Sequence, residues 1–201
     1  MRILILSLGF FIIAIPVWTQ DNQMRAPTDR TAPNGIFGGP VLKVTEINNV
    51  FGLIVGGRGG WICGHTFIIG GGLYGLLRDV EVDDAGAERN FEFAYSGLEL
   101  EYIILPRQVI HLSVQTLIGL GALTDRERHF DRFASFNNFD GPDDSFFIVE
   151  PGLNLMWNMK THLRVGLGGS YRFIRGVGLE GLSNSDLSGL STTVIFKFGR
   201  F

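Results

Sequence analysis

Beyond its first twenty residues this chain is never apolar for long, and where it is apolar the pattern repeats every second residue. Period two belongs to the β-strand, whose successive side chains point to opposite faces. From Ile110, one face carries Ile110, Leu112, Val114, Thr116, Ile118 and Leu120, and the other His111, Ser113, Gln115, Leu117 and Gly119. From Phe147, the set Phe147, Val149, Pro151, Leu153, Leu155 and Trp157 opposes Ile148, Glu150, Gly152, Asn154 and Met156. From Leu163, the residues Leu163, Val165, Leu167, Tyr171 and Phe173 oppose Arg164, Gly166, Gly168, Ser170 and Arg172. Near the end, Leu190, Thr192, Val194, Phe196 and Phe198 oppose Ser191, Thr193, Ile195 and Lys197. Segments 37–47, 50–62, 65–77 and 91–105 repeat the pattern less cleanly, the last with Glu99 and Glu101 on the side away from Leu98, Leu100, Tyr102 and Ile104.

Composition says which solvent each face meets. The chain of 201 residues suits one domain. Only 18% of its residues are charged, its mean hydropathy is positive, and Gly (28) and Phe (17) are abundant. A soluble domain carries about a quarter charged residues. A chain that enters lipid without helical spans must close its backbone hydrogen bonds in a barrel. The reading is therefore all-β: a closed antiparallel transmembrane barrel of about eight strands in meander order, over residues 36–201. A soluble sandwich would alternate too, but would not set inward charges against outward Phe, Trp and Tyr. Pro40 and Pro151 fall inside strands, where each removes a ladder donor, and local bulges or shifted strand ends are expected there.

Residues 1–20 read as a cleaved signal peptide: a basic start at Arg2, an apolar run over 3–17, Pro16, and a cut after Thr19 or Gln20. Residues 21–35 read as a flexible periplasmic leader. Connections near Cys63-Gly64, Pro106-Arg107 and Met159-Lys160 are tight, and 81–90, 124–144 and 175–188 are long and polar. With tight turns periplasmic and long loops outside, only the short outer connection Asn48-Asn49 departs from the alternation. The net charge of −3 gives no basic surplus for nucleic acid.

The terminal stretch from Leu190 through Thr192, Val194, Phe196, Phe198 and Phe201 resembles the assembly signal of outer-membrane barrels. The segments Phe146–Leu155 and Gly168–Phe173 are similar to small barrels of the OmpA/OmpX/OmpW type. The resemblance implies outer-membrane lipid around the wall and recognition by the barrel-assembly machinery through Phe196, Phe198 and Phe201. Phe201 is out of phase with the other two, which leaves Phe198 as the strand anchor.

The inward charges are the first candidate site. Glu99, Glu101 and Glu150 oppose Arg58, Arg164, Arg172 and Lys197. An eight-stranded barrel is just wide enough for side chains to fill, and unpaired charge inside is costly, so a paired polar plug is expected. A narrow channel for ions or small hydrophobic solutes is the rival. Inward Gly52, Gly56, Gly70, Gly72, Gly166 and Gly168 are expected to make room for the Arg side chains. Glu101, His111 and Ser113 hold the residue types of a serine hydrolase and resemble the lipid A deacylases, but they point into the lumen near the periplasmic end, so no enzyme is expected. His65, His111 and His162 share the periplasmic rim on strands too far apart to share an ion, and His129 stands alone in a loop, so no metal or other cofactor is assigned. Cys63 has no disulfide partner. The third outer loop mixes charges with Phe130, Phe133, Phe136 and Phe139 before an acidic Asp140, Asp143 and Asp144. It offers a surface for an extracellular ligand or protein partner, or for Ca²⁺, although packing over the barrel mouth is the reading preferred.

Overall fold

The computed structural model describes residues 34–47, 50–77, 80–84, 87–125, 144–179 and 182–201. The expected signal peptide, most of the leader, the Asn48-Asn49 turn, His129 and the aromatic stretch of the third outer loop lie outside the described residues.

The strands are β1 (Asn34–Ile47), β2 (Val50–Cys63), β3 (Phe67–Leu76), β4 (Val80–Asp84), β5 (Ala87–Ile104), β6 (Ile110–Asp125), β7 (Asp144–Lys160), β8 (Leu163–Arg175) and β9 (Gly189–Arg200). A single helical turn, α1 (Asn184–Leu187), precedes β9. All pairings are antiparallel, and β1 pairs with both β2 and β9, which closes the sheet. β3 pairs with β5 from Phe67↔Tyr102 to Gly75↔Ala94, and β4 takes the next stretch, from Val80↔Phe91 to Asp84↔Ala87. β3 and β4 are thus two pieces of one wall strand, and the barrel has eight strands in sequence order. β1 takes in Asn34 and Gly35, two residues of the stretch read as leader.

Two of the three long connections with described residues differ from expectation. Most of 81–90, read as a polar loop, is the β4–β5 hairpin. The 175–188 connection is not simply polar: among its described residues Leu182 and Leu187 are buried in the apolar cluster at the barrel mouth, with Val177 and Leu179 packed against it. The tight turns are where they were expected. Between Cys63 and Thr66, joined by a 3.2 Å N–H···O bond, Gly64 and His65 have φ of +58° and +59°. Paired left-handed central residues mark a turn of the I′ kind, and with Cys63 paired to Phe67 the whole connection is three residues, Gly64 to Thr66.

The prolines make no bulges. Pro40 stays in register opposite Gly57 and Pro151 opposite Thr116. Pairing lapses on one side only, between Gly38↔Phe198 and Val41↔Ile195 for Pro40, and between Val149↔Phe173 and Gly152↔Ser170 for Pro151. The missing N–H costs local rungs to one neighbour, while the other ladder holds the strand straight. Register changes elsewhere, at Asn158/Lys160 beside the β7–β8 turn and between the β3 and β4 pieces, where Val80 stands opposite Phe91 and not Arg89.

The barrel is inside out relative to a soluble protein. Leu42, Val44, Leu98, Leu112, Leu153, Leu155 and Leu167 are exposed on the outer wall. A contiguous apolar surface of this extent has lipid as its natural solvent. Trp61, Phe67, Tyr102, Trp157 and Phe198 lie close to the tight-turn end, and Phe51, Phe147 and Phe173 closer to the other. These are the two aromatic girdles expected where a barrel wall meets the membrane interfaces.

Candidate functional site in the barrel lumen

Alternation sends one side chain in two to the lumen, and the strand on which each sits fixes its height. Nearest the tight turns, Phe37, Ile62, Ile68, Ile103 and Phe201 form a buried apolar cluster. Above it lies a charged network. Glu101 is held by Lys197 Nζ at 2.6 and 2.7 Å and by Arg58 Nη2 at 3.0 Å. The same Nη2 lies 2.6 Å from Glu99, and Arg58 Nη1 donates to Gln115 at 2.5 Å. Tyr74 donates its hydroxyl to Glu99.

A second network follows. Lys43 Nζ donates to both oxygens of Glu150, at 2.8 and 2.9 Å, and to the Tyr95 hydroxyl at 3.0 Å. Tyr95 and Ser170 donate in turn to Glu150, at 2.9 and 2.5 Å. The ammonium also sits 3.8 Å from the centroid of the Tyr74 ring. Toward the long connections, Ile47, Phe93, Leu123, Phe146, Ile148 and Ile174 close the lumen again, joined by Leu182 and Leu187 of the 175–188 segment. Phe93 and Phe146 stack with centroids 5.2 Å apart.

All seven charged residues assigned to the interior from sequence lie buried in the lumen, but they do not form one network. Arg58, Glu99, Glu101 and Lys197 come together; Glu150 pairs with Lys43; Arg164 lies over the Phe201 ring at 4.0 Å; Arg172 reaches the Leu187 carbonyl at 2.7 Å. The lumen is also not polar throughout, because apolar layers lie on both sides of the charges. Nor do the inward glycines house the arginines. A side chain at Gly56 or Gly72 would strike Tyr74, one at Gly166 would strike Met156, and one at Gly168 would strike Asn154. Gly52 faces Leu76, and Gly70 lies against the backbone of Gly59 and Gly60. The space over Gly56, Gly72, Gly166 and Gly168 is taken by Tyr74, Met156 and Asn154.

Lys43, Tyr74, Tyr95 and Gln115 were not singled out from sequence. Lys43 sits among Phe37, Val41, Thr45 and Ile47 on a strand whose other face, with Ile36, Leu42 and Val44, is equally apolar, so the phase of β1 is ambiguous. The usable signal was the lone positive charge between two apolar runs.

The hydrolase residues lie near one another but form no relay. Glu101 is engaged by Lys197 and Arg58 with Ser113 beside it, His111 Nδ1 meets the Asn158 amide at 3.2 Å, and among the described residues no hydrogen bond links Ser113 Oγ to His111. His65 lies in the first tight turn, and His162 Nδ1 lies 3.1 Å from the Gly199 carbonyl at another. Among the described residues no three His, Cys, Asp or Glu side chains are grouped to hold a metal. Cys63 is exposed and unpaired.

Of the terminal aromatics, Phe198 is exposed on the outer wall and Phe196 is half-buried there, but Phe201 is buried inside. Phe201 shares the parity of Lys197, and the alternation carries it inward.

The sequence matches no protein-family model and no curated protein. The structure is similar to that of Neisserial surface protein A (NspA), with a TM-score of 0.53, 8% identity, and coverage of 84% of this chain and 95% of that one. It also aligns with the N-terminal β-barrel domain of Pseudomonas aeruginosa OprF (TM-score 0.48, 9% identity, 83% of this chain and 97% of that one). The third is P. aeruginosa outer membrane protein OprG (TM-score 0.46, 11% identity, 84% and 95%). At such identities the likeness is one of fold, and the fold is that of the small eight-stranded outer-membrane barrels.

Proposed function

We propose that this chain is a non-enzymatic outer-membrane barrel with a closed lumen, serving the envelope through its lipid-facing wall and through its outer connections as a binding surface. One observation carries this reading: apolar side chains occupy both ends of the lumen, with neutralised charge layers between them. An ion crossing such a tube would have to shed its water against Phe37 and Phe201 at one end and Phe93 and Phe146 at the other. The exposed apolar wall and its aromatic girdles support residence in lipid. The apolar run over 3–17 supports export, with tight turns in the periplasm and long connections outside. Phe196 and Phe198 at the outer wall suit recognition by the assembly machinery, whereas Phe201 acts as a stopper. The interior charges then set register and rigidity, and ligands or protein partners meet the long outer connections. The test is conductance of the purified protein in planar bilayers. Silence over a range of voltages is expected, and reproducible unitary steps would replace this reading with a narrow channel.

A further inference from the structure

Among the described residues the buried charges do not balance, with five cations against three carboxylates. Arg58 and Lys197 are matched by Glu99 and Glu101, and Lys43 by Glu150. Arg164 and Arg172 remain. Arg164 keeps slight exposure near the tight-turn end, where it lies over Phe201. Arg172 is different: its relative exposure is 0%, and its hydrogen-bond acceptors are neutral, the Leu187 carbonyl at 2.7 Å and Thr45 Oγ1 at 3.3 Å. Its Nη1 has no hydrogen-bond partner among the described residues. Glu150 cannot serve it directly, because both of its oxygens already accept from Lys43 and one each from Tyr95 and Ser170.

A second orphan donor is close by. Ser191 stands opposite Thr45 across the β1–β9 rung and opposite Ser170 across the β8–β9 rung, and its buried hydroxyl has no partner. Thr45 is spent, donating to the Leu190 carbonyl while accepting from Arg172. What remains, among the described residues, is a guanidinium N–H and a hydroxyl without hydrogen-bond partners, where Lys43 and Arg172 share the single carboxylate of Glu150. That donor set suits a small anion, since buried cations in excess of their carboxylates are costly. We propose that the lumen beneath the 175–188 segment binds a small inorganic anion of the halide class, between Arg172 Nη1 and Ser191 Oγ. The Phe93 ring 5.3 Å from the guanidinium and the buried Leu187 above it enclose the site and argue against an organic ligand. The bound anion would neutralise the cation that ties Leu187, and so helps to hold the mouth of the barrel shut.

The test uses the full barrel refolded in detergent. Urea unfolding midpoints are compared in chloride and in gluconate at equal ionic strength, because a ligand that binds only the folded state raises its stability. The wild type is expected to unfold at higher urea in chloride. Ser191→Ala should shrink that difference and Arg172→Met should abolish it. If Arg172→Met does not fold, Ser191→Ala decides alone. Crystals grown in bromide supply the direct readout, an anomalous peak within hydrogen-bond distance of Nη1 and Oγ. No chloride effect in the wild type, an effect undiminished in Ser191→Ala, or a bromide-free site would each overturn the proposal.

Discussion

The two charged layers of the lumen answer the same problem in different ways. The layer nearer the tight turns couples Arg58, Glu99, Glu101 and Lys197 from β2, β5 and β9, so charge is met by charge from non-adjacent strands. The layer above it holds one ion pair, Lys43–Glu150, wrapped by the hydroxyls of Tyr95 and Ser170 and the ring of Tyr74. In the first layer each ion depends on others; in the second the pair is surrounded by neutral groups that keep bonding if one charge is lost. A buried pair is costly to break because its partner stays charged and dry, and neutral hydrogen bonds soften that cost.

The comparison orders the expected effects. Glu101→Ala strands Lys197 and leaves Arg58 with Glu99 alone, and should cost about 3–5 kcal/mol in urea unfolding of the refolded barrel. A loss under about 1 kcal/mol would mean that this layer is solvated and not sealed. Phe201→Ala removes the stopper from under Arg164 and should cost about 3 kcal/mol, read the same way. Glu150→Gln should cost less, about 2 kcal/mol, because the amide oxygen still accepts from Lys43 or Ser170. If it proves as damaging as Glu101→Ala, the hydroxyl shell does not buffer the pair. Tyr95→Phe removes one hydroxyl between Lys43 and Glu150 and should cost about 1 kcal/mol.

Much of this was legible because lipid and lumen impose opposite demands on neighbouring residues. The strands from Ile110, Phe147, Leu163 and Leu190 carry their phase openly, and with it the placement of Glu150, Arg164, Arg172 and Lys197. Partners were not legible. Period two gives the face of a residue but not its height, and height depends on the register between strands distant in sequence; Lys43 and Glu150 are 107 residues apart. The apolar layers were hidden for a related reason. Ile54, Ile62, Ile68 and Ile103 share the parity of the inward Gly52, Arg58, Gly70 and Glu101, but parity does not give the height at which such residues meet in a layer. The burial of Leu182 and Leu187 at the mouth was hidden too, since both are isolated among Ser, Asn and Asp.

The central claim is that this chain is a closed barrel spanning a membrane, and gel mobility of the membrane-extracted protein with and without boiling tests it most directly. The unheated protein should run as a compact, detergent-resistant species and shift on boiling. A protein recovered in the soluble periplasmic fraction, with the same mobility heated or not, would contradict the account.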